Sequence, residues 1–172
     1  MTKVFRIVKA MRLDRLFRLG ISFSTYSFTD YFKGFEKVGV VRRIFGEKTE
    51  EVLRNLRVEF SPLIGYMGVN GSNGHLIVNP VYLKNGDRVD VYLDVMHELV
   101  HVRQHMEGRD LFDTNYSYAE MPTEVEAYRY AVEDARRLRL SDEWICEYLK
   151  TPWMNIGELR KLAKALNVKC KQ

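Results

Sequence analysis

Apolar residues recur along this chain with two different periods, and the change of period divides it into elements. Thr49 and the glutamates after it suit the start of a short helix carrying Val52, Leu53 and Leu56 on one side. Residues 56–60 (LRVEF) then alternate apolar and polar, the signature of a strand, and Ser61-Pro62 ends it. Residues 64–69 and 75–78 read as two further strands around the turn Asn70-Gly71-Ser72-Asn73-Gly74. Asn79-Pro80 and Asn85-Gly86 punctuate the stretch from there to residue 90. Val91, Val95, Leu99 and Val102 then return at steps of four, four and three. That spacing predicts a half-buried helix over residues 90–108, with Asp90 as its cap and Gly108 as its stop. Pro122 opens a helix reaching Leu140, Ser141 caps another that Thr151-Pro152 breaks, and a last one covers residues 156–166. Ile156, Leu159, Leu162, Ala163 and Leu166 share a face of that last helix. The expected fold is α+β: a small mixed or antiparallel sheet packed on helix 90–108, followed by a helical carboxyl-terminal part.

The pattern is weaker upstream. Residues 21–31 (ISFSTYSFTDY), rich in Ser, Thr and aromatics, favour extended chain. In residues 1–20, Lys3, Arg6, Lys9, Arg12, Arg15 and Arg18 stand at every third position. At about 100° per residue such a repeat winds around a helix, so it does not make a clean amphipathic membrane helix. It fits a solvated surface, and also an arm that meets nucleic-acid phosphates. Residues 1–36 are therefore set apart as a basic, aromatic segment, and residues 37–172 read as one domain.

Composition narrows the class. A chain of 172 residues with 46% hydrophobic content builds one real core, which excludes wholesale disorder. No apolar run approaches the roughly 20 residues of a membrane span, and LGISFSTYSFT is too polar for a signal-peptide core. Cys146 and Cys170 form neither a disulfide framework nor a C-x-x-C pair, which suits a reducing compartment. The expectation is a soluble, cytoplasmic protein with no membrane partner.

Chemistry concentrates on helix 90–108, which contains His97-Glu98-Leu99-Val100-His101, an H-E-x-x-H. Residues four apart share a helix face, so both imidazoles can meet one metal ion, and Glu98 can reach a water beside it as general base. Catalytic zinc sites usually take three protein ligands. His105 lies about 12 Å along the axis from His97, too far to share its ion. The elongated H-E-x-x-H-x-x-G-x-x-H form is absent, because Gln104 and Glu107 occupy the glycine and last histidine positions. No histidine follows His105, and elimination leads to the helix opening Thr123-Glu124-Val125-Glu126-Ala127. His75, at the head of a strand, reads as a surface or turn histidine.

His97-Glu98-x-x-His101 followed by a helix with Glu124-x-x-Ala127 resembles the gluzincin arrangement of zinc metallopeptidases, in particular small ImmA/IrrE-like members. Their E-x-x-A-N-x-F-A pattern is similar to Glu124-Val125-Glu126-Ala127-Tyr128-Arg129-Tyr130-Ala131 here, over a matching region of about residues 56–140. Tyr128 departs from it, standing where the family has Asn or Asp against a ligand histidine. The resemblance implies zinc-dependent hydrolysis of protein or peptide substrates, one Zn2+ per chain held by His97, His101 and Glu124, and Glu98 as base. It also implies that the strand at residues 75–78 pairs with an extended peptide.

Helical phase separates the two glutamates independently. Glu124 falls in the arc of Tyr128, Ala131, Val132 and Ala135, whereas Glu126 falls opposite, with Arg129, Glu133 and Arg137. A carboxylate on a buried stripe is costly unless paired or metal-bound, which selects Glu124. Tyr116, Tyr118 and Tyr128 are candidate donors to an oxyanion. Cys170 is a candidate to block the open metal position in a latent form. The rival to an enzyme is a non-catalytic or regulatory metal-binding protein linked to nucleic acid through residues 1–18.

Overall fold

A buried helix of 19 residues, Arg88–Met106, has two other helices and one strand of the sheet packed against it. The structure, a computed structural model, describes residues 25–170, so the basic repeat of residues 1–20 and residues 21–24 lie outside the described part. The strands are β1 (Tyr26–Ser27), β2 (Arg57–Phe60), β3 (Met67–Val69) and β4 (Leu76–Val78). The helices are α1 (Phe28–Tyr31), α2 (Gly39–Phe45), α3 (Thr49–Asn55), α4 (Pro80–Asn85), α5 (Arg88–Met106), α6 (Pro122–Arg137), α7 (Asp142–Tyr148) and α8 (Ile156–Ala165). The architecture is mixed α+β with a helical carboxyl-terminal part, as the two periods predict.

The strands form one sheet in the order β1-β2-β4-β3. β3 and β4 make the expected hairpin, Met67 opposite Val78 and Val69 opposite Leu76. β4 also pairs in parallel with β2, Val58 opposite Leu76 and Phe60 opposite Val78, and β1 lies antiparallel to β2. Val58, Leu76 and Val78 are fully buried. The mixed sheet follows from this: the hairpin returns β4 to the inside of β3, where it shields the apolar residues of β2. Most of the expected extended stretch before Phe28 is outside the described residues; within it β1 is short, and Phe28–Tyr31 turns helical.

Caps explain the helix boundaries. Asp87, not Asp90, starts α5: its Oδ1 accepts from the N–H of Val89 at 2.7 Å and of Asp90 at 3.3 Å. The sequence pattern places the cap one turn too late because Asp90 precedes the first valine of the apolar stripe. Gly108 ends the helix at φ 73°, a left-handed conformation that glycine adopts without a Cβ penalty. Asn79-Pro80 begins a helix instead of a turn, with Asn79 accepting from Val81 and Tyr82. Ser141 caps α7 as expected, and Asn155 and Glu158 form a capping box on α8.

α5 is not half-buried. From Val91 to Val102 every residue except Asp94 is buried, because α2 and β3 pack on part of its surface and α6 covers another. The contact with α6 is close because Ala127, Ala131 and Ala135 carry almost no side chain there and are wholly buried. Tyr92 donates to the buried Asp134 of α6 at 2.6 Å, and Arg137 donates to the same carboxylate at 2.6 Å. Residues 25–36, the described part of the segment set apart above, join this core, since Phe28, Phe32 and Phe35 cluster and Phe35 lies against Tyr92 with centroids 5.8 Å apart.

Cys146 and Cys170 are joined by a disulfide, which corrects the reading of them as unpaired. The bridge encloses α8, and a separation of 24 residues carries no local signal that would mark it in a sequence. It removes the unpaired cysteines as an argument for a reducing compartment. No described helix is long and apolar enough to cross a membrane.

The α5–α6 contact has a direct test. Ala131→Leu should cost roughly 1–3 kcal/mol of stability through overpacking. Urea unfolding measures it, and a cost within about 0.5 kcal/mol, the range of a surface substitution, would show that the two helices do not meet there.

Candidate metal centre

Two turns of α5 and the first turn of α6 supply the site. His97 and His101 lie one helical turn apart, with their Nε2 atoms 2.9 Å from each other. Glu124 faces both, Oε2 at 3.3 Å from His97 Nε2 and Oε1 at 3.3 Å from His101 Nε2. The three ligand atoms lie within 4.8 Å of one another, and all three residues are at the buried end of the scale. Tetrahedral ligands at about 2 Å from a zinc ion stand roughly 3.3 Å apart, so this triangle has the size a single ion needs.

The protonation pattern gives a second test of fit. Burial works to keep His101 neutral, but the Glu124 carboxylate beside it prevails and raises its pKa to about 9. Burial lowers that of His97 below its ordinary value. Burial also pushes Glu124 upward, yet the two imidazoles outweigh it and hold this carboxyl well below the usual range. A metal cation would let both Nε2 atoms and the carboxylate act as donors of electron pairs to one positive charge. The His97, His101 and Glu124 group therefore fits a metal ion.

The neighbours of the two histidines differ, and for His101 the position of Gln104 three residues on along the same helix was the available signal. His101 Nδ1 lies 2.8 Å from Gln104 Oε1 in the interior. Gln104 is itself fixed by donating to the Thr123 carbonyl at 3.0 Å and to Glu126 at 2.9 Å. An N–H held on Nδ1 leaves Nε2 free as a ligand. His97 Nδ1 is buried with no hydrogen-bond partner, and the ring of Tyr128 packs on His97 with centroids 4.3 Å apart. Tyr128 thus meets His97 through an aromatic contact.

Glu126 is not a solvent-facing bystander. It is half-buried and accepts from Arg103 and Arg109 at 2.5 Å each, as well as from Gln104. Helical phase placed it correctly away from the metal ligands, but Arg103 and Arg109 reach over from the end of α5 and the loop beyond it.

His97, Glu98, His101 and Glu124 line a cavity of about 380 Å³. Glu98 is buried in its wall, which pushes its pKa up to about 8, and it makes no hydrogen bond to another described residue. Tyr118 and Tyr128 line the same cavity with their hydroxyls 3.0 Å apart, whereas Tyr116 is half exposed on the loop outside it. Of the three tyrosines, the structure brings two to the site. Sequence reasoning missed Asp94, which also faces the cavity and accepts from Tyr82 at 2.5 Å and Tyr148 at 3.0 Å. Its position one turn before Glu98 on the same helix face was the available signal.

The remaining candidates have structural roles. His75 pairs with Glu59 at 2.6 Å. His105 lies 3.2 Å from the Gly71 carbonyl and abuts Gly74, holding the β3–β4 turn against α5. Cys170 has no free thiol for the open position, its sulfur being bonded to Cys146. β4 cannot accept an added strand because β2 and β3 occupy both of its edges; the strand that lines the cavity is β3, at the end of the sheet. No protein-family model, curated protein or solved structure matches this chain.

The roles of Gln104, Glu124 and Glu126 separate by measurement. Glu124→Gln should abolish stoichiometric metal binding, and Gln104→Ala should weaken it by about 10–100-fold through loss of the His101 contact. Glu126→Gln, one step further out, should weaken it less than Gln104→Ala. Competition with a chromophoric chelator reads all three, and an order with Glu126→Gln as the most damaging would overturn the assignment.

Proposed function

We propose that this chain is a zinc-dependent metallopeptidase of the gluzincin type, hydrolysing peptide bonds of a protein or peptide substrate with Glu98 as general base. The observation that carries the reading is the position of Glu98. A purely structural metal site has no use for a further buried carboxyl that faces a cavity beside the ligands and has no hydrogen-bond partner.

A zinc ion held by His97, His101 and Glu124 supplies Lewis acidity towards a substrate carbonyl and a water. The rest is done by the chain. With a cation at the neighbouring ligands to offset the upward push of burial, Glu98 is ionised; it removes a proton from the attacking water and returns it to the nitrogen of the leaving amine as the C–N bond breaks. Gln104 keeps His101 in the tautomer that presents Nε2. Tyr118 and Tyr128 are placed to donate to the oxygen that becomes negative in the tetrahedral centre. β3 offers Met67, Gly68 and Val69 along the cavity, where an extended peptide pairs through its backbone.

The test separates metal from base. The zinc-loaded chain should cleave an unfolded polypeptide, and a chelator should stop it. Glu98→Gln should keep its zinc and lose at least about 100-fold in rate, the usual contribution of a positioned base. A His97→Ala, His101→Ala variant should lose the metal. A chain with one bound zinc that leaves every unfolded substrate intact would sink the proposal and return the site to a regulatory or structural role.

A further inference from the structure

The aromatic residues of the cavity are not scattered through its wall. Tyr82 meets Tyr66 edge-on with centroids 5.0 Å apart, Tyr66 meets Trp153 at 5.9 Å, and Trp153 meets Tyr118 at 5.8 Å. Tyr118 meets Tyr128 at 6.3 Å, and Tyr128 meets Tyr148 at 6.4 Å. The circuit closes through Asp94, whose two oxygens accept from Tyr82 and Tyr148. Six aromatic side chains and one carboxylate therefore form a ring within the cavity lining, adjoining His97 where Tyr128 packs on it.

Charge in the cavity points the same way. Asp90, Asp94, Glu98, Glu124 and Glu147 line it against a single lysine, Lys150, and that lysine is paired with Glu147 at 2.5 Å. Neither Asp90 nor Asp94 has an ion pair with a lysine or arginine among the described residues. Burial holds both carboxyls up to about 6, as expected for acids facing a space where the one described lysine is already paired with Glu147. The Thr151 hydroxyl, in the same wall, is buried without a partner.

Resting on the metallopeptidase reading, we propose that this ring is a specificity site for an organic cation of the substrate, an ammonium or guanidinium group beside the bond to be cleaved. Aromatic side chains attract such a cation through their electron-rich faces, and Asp94 and Asp90 neutralise it. An anionic or purely apolar group gains neither term and meets the carboxylates instead. Asp94 lies one turn from Glu98 on α5, so a cation held there belongs to a residue next to the reacting carbonyl. Lysine or arginine side chains and a free α-amino group share this chemistry.

The test reads binding on a chain that does not turn over. Glu98→Gln, with zinc and without, is titrated calorimetrically with acetyl-Ala-Lys-Ala-amide, with its norleucine counterpart, and with the norleucine peptide bearing a free amino terminus. At least one cationic peptide should bind about tenfold or more tightly than the neutral one. A lysine preference assigns the site to a side chain, and a preference for the free terminus assigns it to the α-ammonium. Asp94→Asn should remove most of the difference. Asp90→Asn, at a less buried position, should reduce it in a chain whose helix contacts are intact. Equal binding of neutral and cationic peptides, or a preference undiminished in both variants, would overturn the proposal. Native chain that hydrolyses peptides without regard to a basic residue also removes the specificity site and leaves the peptidase standing. Selective binding with no hydrolysis does the reverse.

Discussion

Ala127, Ala131 and Ala135 let α6 lie against α5 closely enough for Glu124 to reach both histidines, and the rest of the site depends on that approach. The same contact buries Tyr92 and Asp134 as a hydrogen-bonded pair two turns further along α6. Core and site are thus one interface. A side chain larger than alanine on the stripe would separate the helices and withdraw the carboxylate from the imidazoles together.

Burial of this many acids needs compensation. Glu98 and Glu124 are buried near two histidines, and Asp94 is held by two tyrosine hydroxyls. Each carboxylate moved out of water costs several kcal/mol unless its charge is met. A metal held by the triad would meet the charge of Glu124, and the tyrosines partly meet that of Asp94. Glu98 is left with no donor among the described residues.

Support for the site comes from outside it. Arg103 and Arg109 hold Glu126, Glu126 and the Thr123 carbonyl hold Gln104, and Gln104 orients His101. On the far side, Tyr148 and Trp153 close the cavity, and the disulfide between Cys146 and Cys170 ties that wall to the end of the described chain. The cavity therefore has one wall on α5 and α6 and a second wall anchored by a covalent bond.

What was legible in the sequence lies within single elements. The spacing of Val91, Val95, Leu99 and Val102 placed α5, and the spacing of His97 and His101 placed two ligands on one face, because a helix repeats at short and regular intervals. The phase of α6 separated Glu124 from Glu126 for the same reason. Four features were decided only when elements met. β4 lies inside the sheet and not at its edge, α5 is buried nearly all round, Gln104 is anchored on Thr123 and Glu126 of α6, and Tyr82, Tyr148 and Asp94 came together from three helices. The disulfide joins residues on either side of α8. None of these has a fixed spacing along the chain, since distance through space is set by packing between elements, and a local periodicity records only which face of one element is apolar.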